Sequence, residues 1–66
     1  MEFRIRNFRE NEFKNLLNDI CLNKGIRSYS QLEFRRDESD YSVVILEESF
    51  IQRLSIADIE SLNAIK

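Results

Sequence analysis

The 66-residue chain has no histidine, no proline and no tryptophan, and it has one glycine (Gly25) and one cysteine (Cys21). Each absence closes a class of chemistry. Without histidine, the commonest metal ligand and the usual proton shuttle are missing. None of the seven serines, nor Cys21, has an imidazole to activate it. One cysteine builds neither a disulfide framework nor a Cys-rich zinc site, and one glycine cannot form a glycine-rich phosphate cradle. No apolar run approaches the ~18 residues of a membrane span, and the N-terminal segment lacks a signal peptide's apolar centre. The sequence therefore predicts no enzyme, no cofactor, no metal and no membrane partner. It predicts one small cytoplasmic domain over residues 1–66. A domain this small buries roughly 60% of the surface its unfolded chain exposes, so its core is thin.

What is present is charge, unevenly placed. The formal net charge is −2, but residues 1–36 carry eight basic and five acidic side chains, a balance of +3. Residues 37–66 carry seven acids against Arg53 and Lys66, a balance of −5. Folded, such a chain presents a dipolar surface that steers partners of complementary charge.

Along the chain, residues 2–7 alternate charged and apolar side chains, the period of a half-buried strand. Phe3 and Ile5 point one way, Glu2, Arg4 and Arg6 the other. Asn7 with Glu10 reads as a loose capping box, with Asn11 as the other candidate cap. Residues 9–24 then form a helix whose apolar stripe is Phe13, Leu16, Leu17, Ile20 and Cys21. Lys24 suits the helix's negative end, and Gly25 lies where a left-handed cap is wanted. Alternation resumes over 26–36, with Ile26, Ser28, Ser30, Leu32 and Phe34 on one side and Arg27, Tyr29, Gln31, Glu33 and Arg35 on the other. Asp37-Glu38-Ser39-Asp40 reads as a hairpin turn. The third strand, 41–47, is apolar on both faces at Val43-Val44-Ile45-Leu46, which marks a central strand. Ser49 and Ser55 each read as a hydroxyl cap, so the C-terminal segment is one long helix or a short turn leading into a second.

This order, β-α-β-β-α, predicts an α+β fold: a two-layer sandwich of a three-stranded mixed sheet, order 1-3-2, with both helices on one face. The other face then shows Arg4, Arg6, Arg27, Tyr29, Gln31, Glu33 and Arg35 around an apolar strip. That strip is either Val44 and Leu46 or Tyr41, Val43 and Ile45, depending on register. Arginine and tyrosine around a desolvated apolar centre are typical of interfaces. A solvated outer face with arginine stems over apolar neighbours is the plainer reading.

Asp37, Glu38 and Asp40 form a second candidate surface, an acidic hairpin able to occupy a basic groove. They lack the glycine and twelve-residue spacing of a calcium loop. The predicted function is a non-catalytic protein-binding module, a stand-alone inhibitor or adaptor. Its candidate partner-binding residues are Arg4, Arg6, Arg27, Tyr29, Arg35, Asp37, Glu38 and Asp40. Eight isoleucines and six asparagines against two alanines fit an AT-rich genome. That composition suggests a bacteriophage or mobile-element protein that blocks a host defence nuclease or a transcription protein. The alternative is a nucleic-acid-binding or regulatory protein that uses the arginine face, against which a pI near 5.0 weighs. A homodimer burying the Val43–Leu46 face is a third arrangement.

Overall fold

The structure, a computed structural model, describes residues 1–27, 32–38 and 40–65, without the side chain of Glu38. The alternation at the N-terminus forms β1 (Glu2–Arg6), which buries Phe3 and Ile5 and leaves Glu2, Arg4 and Arg6 exposed. A 3₁₀ turn over Asn7–Arg9 leads into α1 (Glu10–Lys24). The helix buries Phe13, Leu17, Ile20 and Cys21, and Leu16 packs against the same core. Its end follows from Gly25, whose φ of 68° no side chain opposes. The Gly25 N–H donates to the Leu22 carbonyl and the Ile26 N–H to the Cys21 carbonyl. That is the Schellman closure.

The rest of the chain forms β2 (Phe34–Glu38), β3 (Tyr41–Ile45), α2 (Glu48–Ile51) and α3 (Ile56–Asn63). The short α2 and its turn before α3 answer the question of one helix or two. Ser55 caps α3 as its sequence suggests. Its hydroxyl accepts from the Asp58 N–H and the Asp58 carboxylate accepts from the Ser55 N–H, both at 3.1 Å. Lys24 at the end of α1 reaches the same carboxylate at 3.1 Å.

The fold is α+β, and the strand order is β1-β3-β2 as expected, with both ladders antiparallel. The expected mixed sheet is therefore corrected. β1 and β2 do run the same way, but β3 lies between them, so no parallel ladder forms. Of the expected second strand, 26–36, the described residues Ile26, Arg27, Leu32 and Glu33 are not in a strand, and β2 runs Phe34–Glu38. β3 ends at Ile45 rather than residue 47, and Phe34 already pairs with Val44, which leaves little strand for Leu32 and Glu33 to join. The ladder instead continues past a bulge, so that Glu38 pairs with Tyr41. Asp37 and Glu38 thus belong to a strand, not to the turn. Ser28, Tyr29, Ser30 and Gln31 lie outside the described residues.

The N-cap position of α1 is held by Arg9 rather than by Asn7 or Asn11, and Arg9 makes no side-chain cap bond. Asn7 and Glu10 both accept from the hydroxyl of Ser42, which is fully buried on β3. One proton shared by two acceptors leaves the buried hydroxyl satisfied. The expected Ser49 cap is likewise absent, since Glu47 precedes α2 and makes no side-chain cap bond.

One core cluster joins Phe3 and Ile5 of β1, Val44 of β3, the stripe of α1, Leu46, Phe50, Ile51, Leu54, Leu62 and Ile65. Phe13 is at its centre. Its ring lies 5.4 Å from Phe3 and 6.1 Å, edge-on, from Phe34.

Gly25→Ala should destabilise the fold by about 1–2 kcal/mol, because the cost is that of a left-handed backbone alone. Thermal unfolding, with Gly25→Asn as the milder comparison, measures it. The Ser55 backbone N–H, then Lys24, hold the Asp58 carboxyl below its ordinary pKa. The folded carboxyl thus binds its proton less tightly than the unfolded one. Its stabilisation is complete above about pH 3.9 and lost as pH falls through the lower folded value. Acid titration of unfolding should show this limb in the native chain and lose it in Asp58→Asn.

Candidate functional site

β3 has a partner strand on each side, so its alternation decides what each sheet face displays. Val44 and Ser42 turn inward with Phe3 and Ile5, and both are fully buried. Tyr41, Val43 and Ile45 turn outward. The open strip is therefore Tyr41, Val43 and Ile45, not Val44 and Leu46, and Ile45 at the far end of β3 remains 60% exposed. Directly across from these residues on β1 are Arg6, Arg4 and Glu2. Arg35 of β2 stands across from Val43 on the other side.

Two of these arginines are held in place. The guanidinium carbons of Arg4 and Arg6 lie 4.5 and 5.2 Å from the centre of the Tyr41 ring. Such contacts at exposed sites contribute about 0.5–1 kcal/mol each and order long side chains that would otherwise wander. Arg4 also reaches across the sheet to Asp37, 3.6 Å away. The bulge in β2 makes this reach available, because the extra residue there is Asp37. Beside Tyr41 an open hollow of about 520 Å³ is lined by Glu2, Phe3, Arg4, Tyr41, Asn63 and Ile65. It brings the C-terminal segment up to the margin of the open face.

The structure brings together Arg4, Arg6, Arg35 and Asp37 of the predicted residues. Arg27 is not with them. It follows the end of α1, exposed and outside the sheet, because β2 starts later than its sequence suggests. Tyr29 lies outside the described residues, as does the side chain of Glu38. Asp40 is exposed, and its backbone carbonyl accepts from the Asn7 N–H at 2.9 Å, tying the hairpin to the end of β1. The basic face and the acidic hairpin adjoin through Arg4 and Asp37, so they make one surface.

Two residues escape the sequence reading. Tyr41, the anchor of both arginines, needs the register of β1 against β3 before its side is known. Phe8, in the 3₁₀ turn, is 81% exposed. Its only sequence signal is its place between the strand and the helix, outside both periodic patterns. Elsewhere the Arg9 side chain, hydrogen-bonded to Glu12, lowers that carboxyl's pKa. Among the described residues no three His, Cys, Asp or Glu side chains cluster to hold a metal ion. No helix among them is long and apolar enough to cross a membrane.

The two sides of β3 should respond differently to truncation. Leu46→Ala should cost about 2–5 kcal/mol, as a buried leucine does. Ile45→Ala, one residue away, should change stability by less than about 0.5 kcal/mol. Denaturant unfolding of the pair checks the face assignment. No family model matches this chain, and no curated protein and no solved structure shows significant similarity to it.

Proposed function

We propose that this chain is a cytoplasmic, non-catalytic protein-binding module, an inhibitor or adaptor, that docks through the open face of its sheet. The observation that carries the reading is the outward strip Tyr41-Val43-Ile45 on a central strand, half-buried at Tyr41 and Val43 and exposed at Ile45, bordered by Arg4, Arg6 and Arg35. An apolar strip left open on a thin-cored domain costs solubility, and contiguous strips of this kind mark contact surfaces. Arginine and tyrosine are the side chains that interfaces favour, and here Tyr41 pre-orders two of the arginines, which lowers the entropy lost on binding.

A protein partner fits better than a phosphate backbone. Glu2 is on the same face and Asp37 already engages Arg4, so the surface offers both signs. The AT-rich composition supports the narrower reading of a phage or mobile-element inhibitor of a host defence or transcription protein.

Affinity capture from the native host, run with the native chain and with Ile45→Asp as baits, tests the proposal. Ile45 is exposed, so the variant folds. A protein held by the native chain and lost with the variant supports the reading. Identical recoveries from both baits would sink it. Recovery of nucleic acid that falls steeply with salt would transfer the face to the nucleic-acid alternative.

A further inference from the structure

We propose that the outer edge of β1 is a peptide-binding site, at which an extended segment of a partner protein adds antiparallel as a fourth strand. The inference concerns the edge of the sheet and stands whether or not the open face docks a partner.

β1 is terminal in the strand order. Which of its backbone groups reach the outer edge follows from the ladder to β3. At one end the Met1 amino group donates to the Leu46 carbonyl at 2.7 Å, and the Leu46 N–H donates back to the Met1 carbonyl at 2.8 Å. At the other end the Asn7 N–H donates to the Asp40 carbonyl. Between them the register advances residue for residue. Phe3 and Ile5 therefore turn their backbone groups toward β3, and Glu2, Arg4 and Arg6 turn theirs away from it. The Arg6 carbonyl is taken up by the 3₁₀ turn that follows. The Arg6 N–H and both backbone groups of Glu2 have no hydrogen-bond partner among the described residues.

The space beside them suits a strand. Glu2, Phe3 and Arg4 are consecutive, so their side chains alternate between the two faces, yet all three line the hollow of about 520 Å³. Tyr41 lines it from the open face, Asn63 and Ile65 from the helical side. β3 closes the other flank of β1, so a hollow that meets both layers runs around the outer edge. The C-terminal segment walls it without pairing to β1, since the Ala64 N–H donates to Glu60 and the Ile65 N–H to Leu62.

Charge selects the occupant. Glu2 and Arg6 stand at the two ends of β1 on the open face, and neither makes an ion pair with a described residue. Arg4 between them already meets Asp37. An antiparallel segment that begins with an acid and ends, five residues long, with a base sets the acid beside Arg6 and the base beside Glu2. Directly opposed residues share a face, so both pairs form on the open side and favour this strand. Its second and fourth residues turn inward beside Ile5 and Phe3 and are apolar. Its middle residue lies beside Arg4 and needs no charge. A segment with the same charge at both ends is repelled at one of them.

The peptide acetyl-Asp-Val-Thr-Val-Lys-amide tests the proposal. Titrated into the native chain and followed by amide NMR, it should bind and slow hydrogen exchange at the Glu2 and Arg6 amides, and not at Arg36 on β2. Methylating the backbone nitrogen of the peptide's Lys, which donates to the Glu2 carbonyl, should abolish binding. Methylating that of the preceding Val, which points away from β1, should not. Arg6→Glu should weaken binding about tenfold, and a peptide with Lys in place of its Asp should restore it. Failure of the peptide to bind at millimolar concentration overturns the proposal. So does equal loss from the two methylations, or protection of Arg36 in place of Glu2 and Arg6. The methylated peptides leave the protein native, so the test is sufficient even where Arg6→Glu fails to fold. The peptide meets β1 and not Ile45, so loss of partner capture and loss of peptide binding are separate results.

Discussion

Phe13 couples the two kinds of structure in this small domain. Its ring meets Phe3 on β1 and Phe34 on β2, the two residues that flank Val44 across the sheet. One helical side chain thus spans the width of a three-stranded sheet. The contact fixes which side of β3 is inward, and with period-2 alternation that single choice sets every other side chain on the sheet. A slip of one residue would bury Arg4 and Val43 in place of Phe3 and Val44. The cost of an unpaired buried arginine makes that register untenable.

The open face is the other side of the same constraint. A central strand with Phe3 and Phe34 as inward neighbours has to place Tyr41, Val43 and Ile45 outward, whatever their polarity. Their apolar character is therefore not forced by the core. Threonine or serine would satisfy the ladder as well, as Ser42 does inward with the help of Asn7 and Glu10. The contact proposed for the open face would use this strip, on which Tyr41 orders the guanidinium groups of Arg4 and Arg6.

Much of this could be read from the chain because the signals are local and periodic. The stripe Phe13-Leu16-Leu17-Ile20-Cys21 defines a helix and its buried side, Gly25 defines its end, and Ser55 with Asp58 defines the start of α3. Strand order followed from Val43–Leu46 being apolar on both faces. What escaped were matters of pairing between distant segments. The alternation over 26–36 is genuine as a pattern, but β3 ends at Ile45, so Leu32 and Glu33 stay outside β2, and nothing local to those two residues shows that. Asn7 and Glu10 have the spacing of a capping box, yet they serve a buried hydroxyl 35 and 32 residues away. Sorting Tyr41 from Val44 needed the register of β1 against β3, which alternation alone does not reveal.

The charge asymmetry takes on a different meaning once folded. By sequence, the basic part ends at Arg36 and the acidic part begins at Asp37, which suggests two separate surfaces. The strand order interleaves them instead, placing β3 from the acidic part between β1 from the basic part and β2. The sign change falls inside β2, at its bulge, so one edge strand carries both halves of the charge pattern. On the sheet's width this produces the Arg4–Asp37 contact across β3.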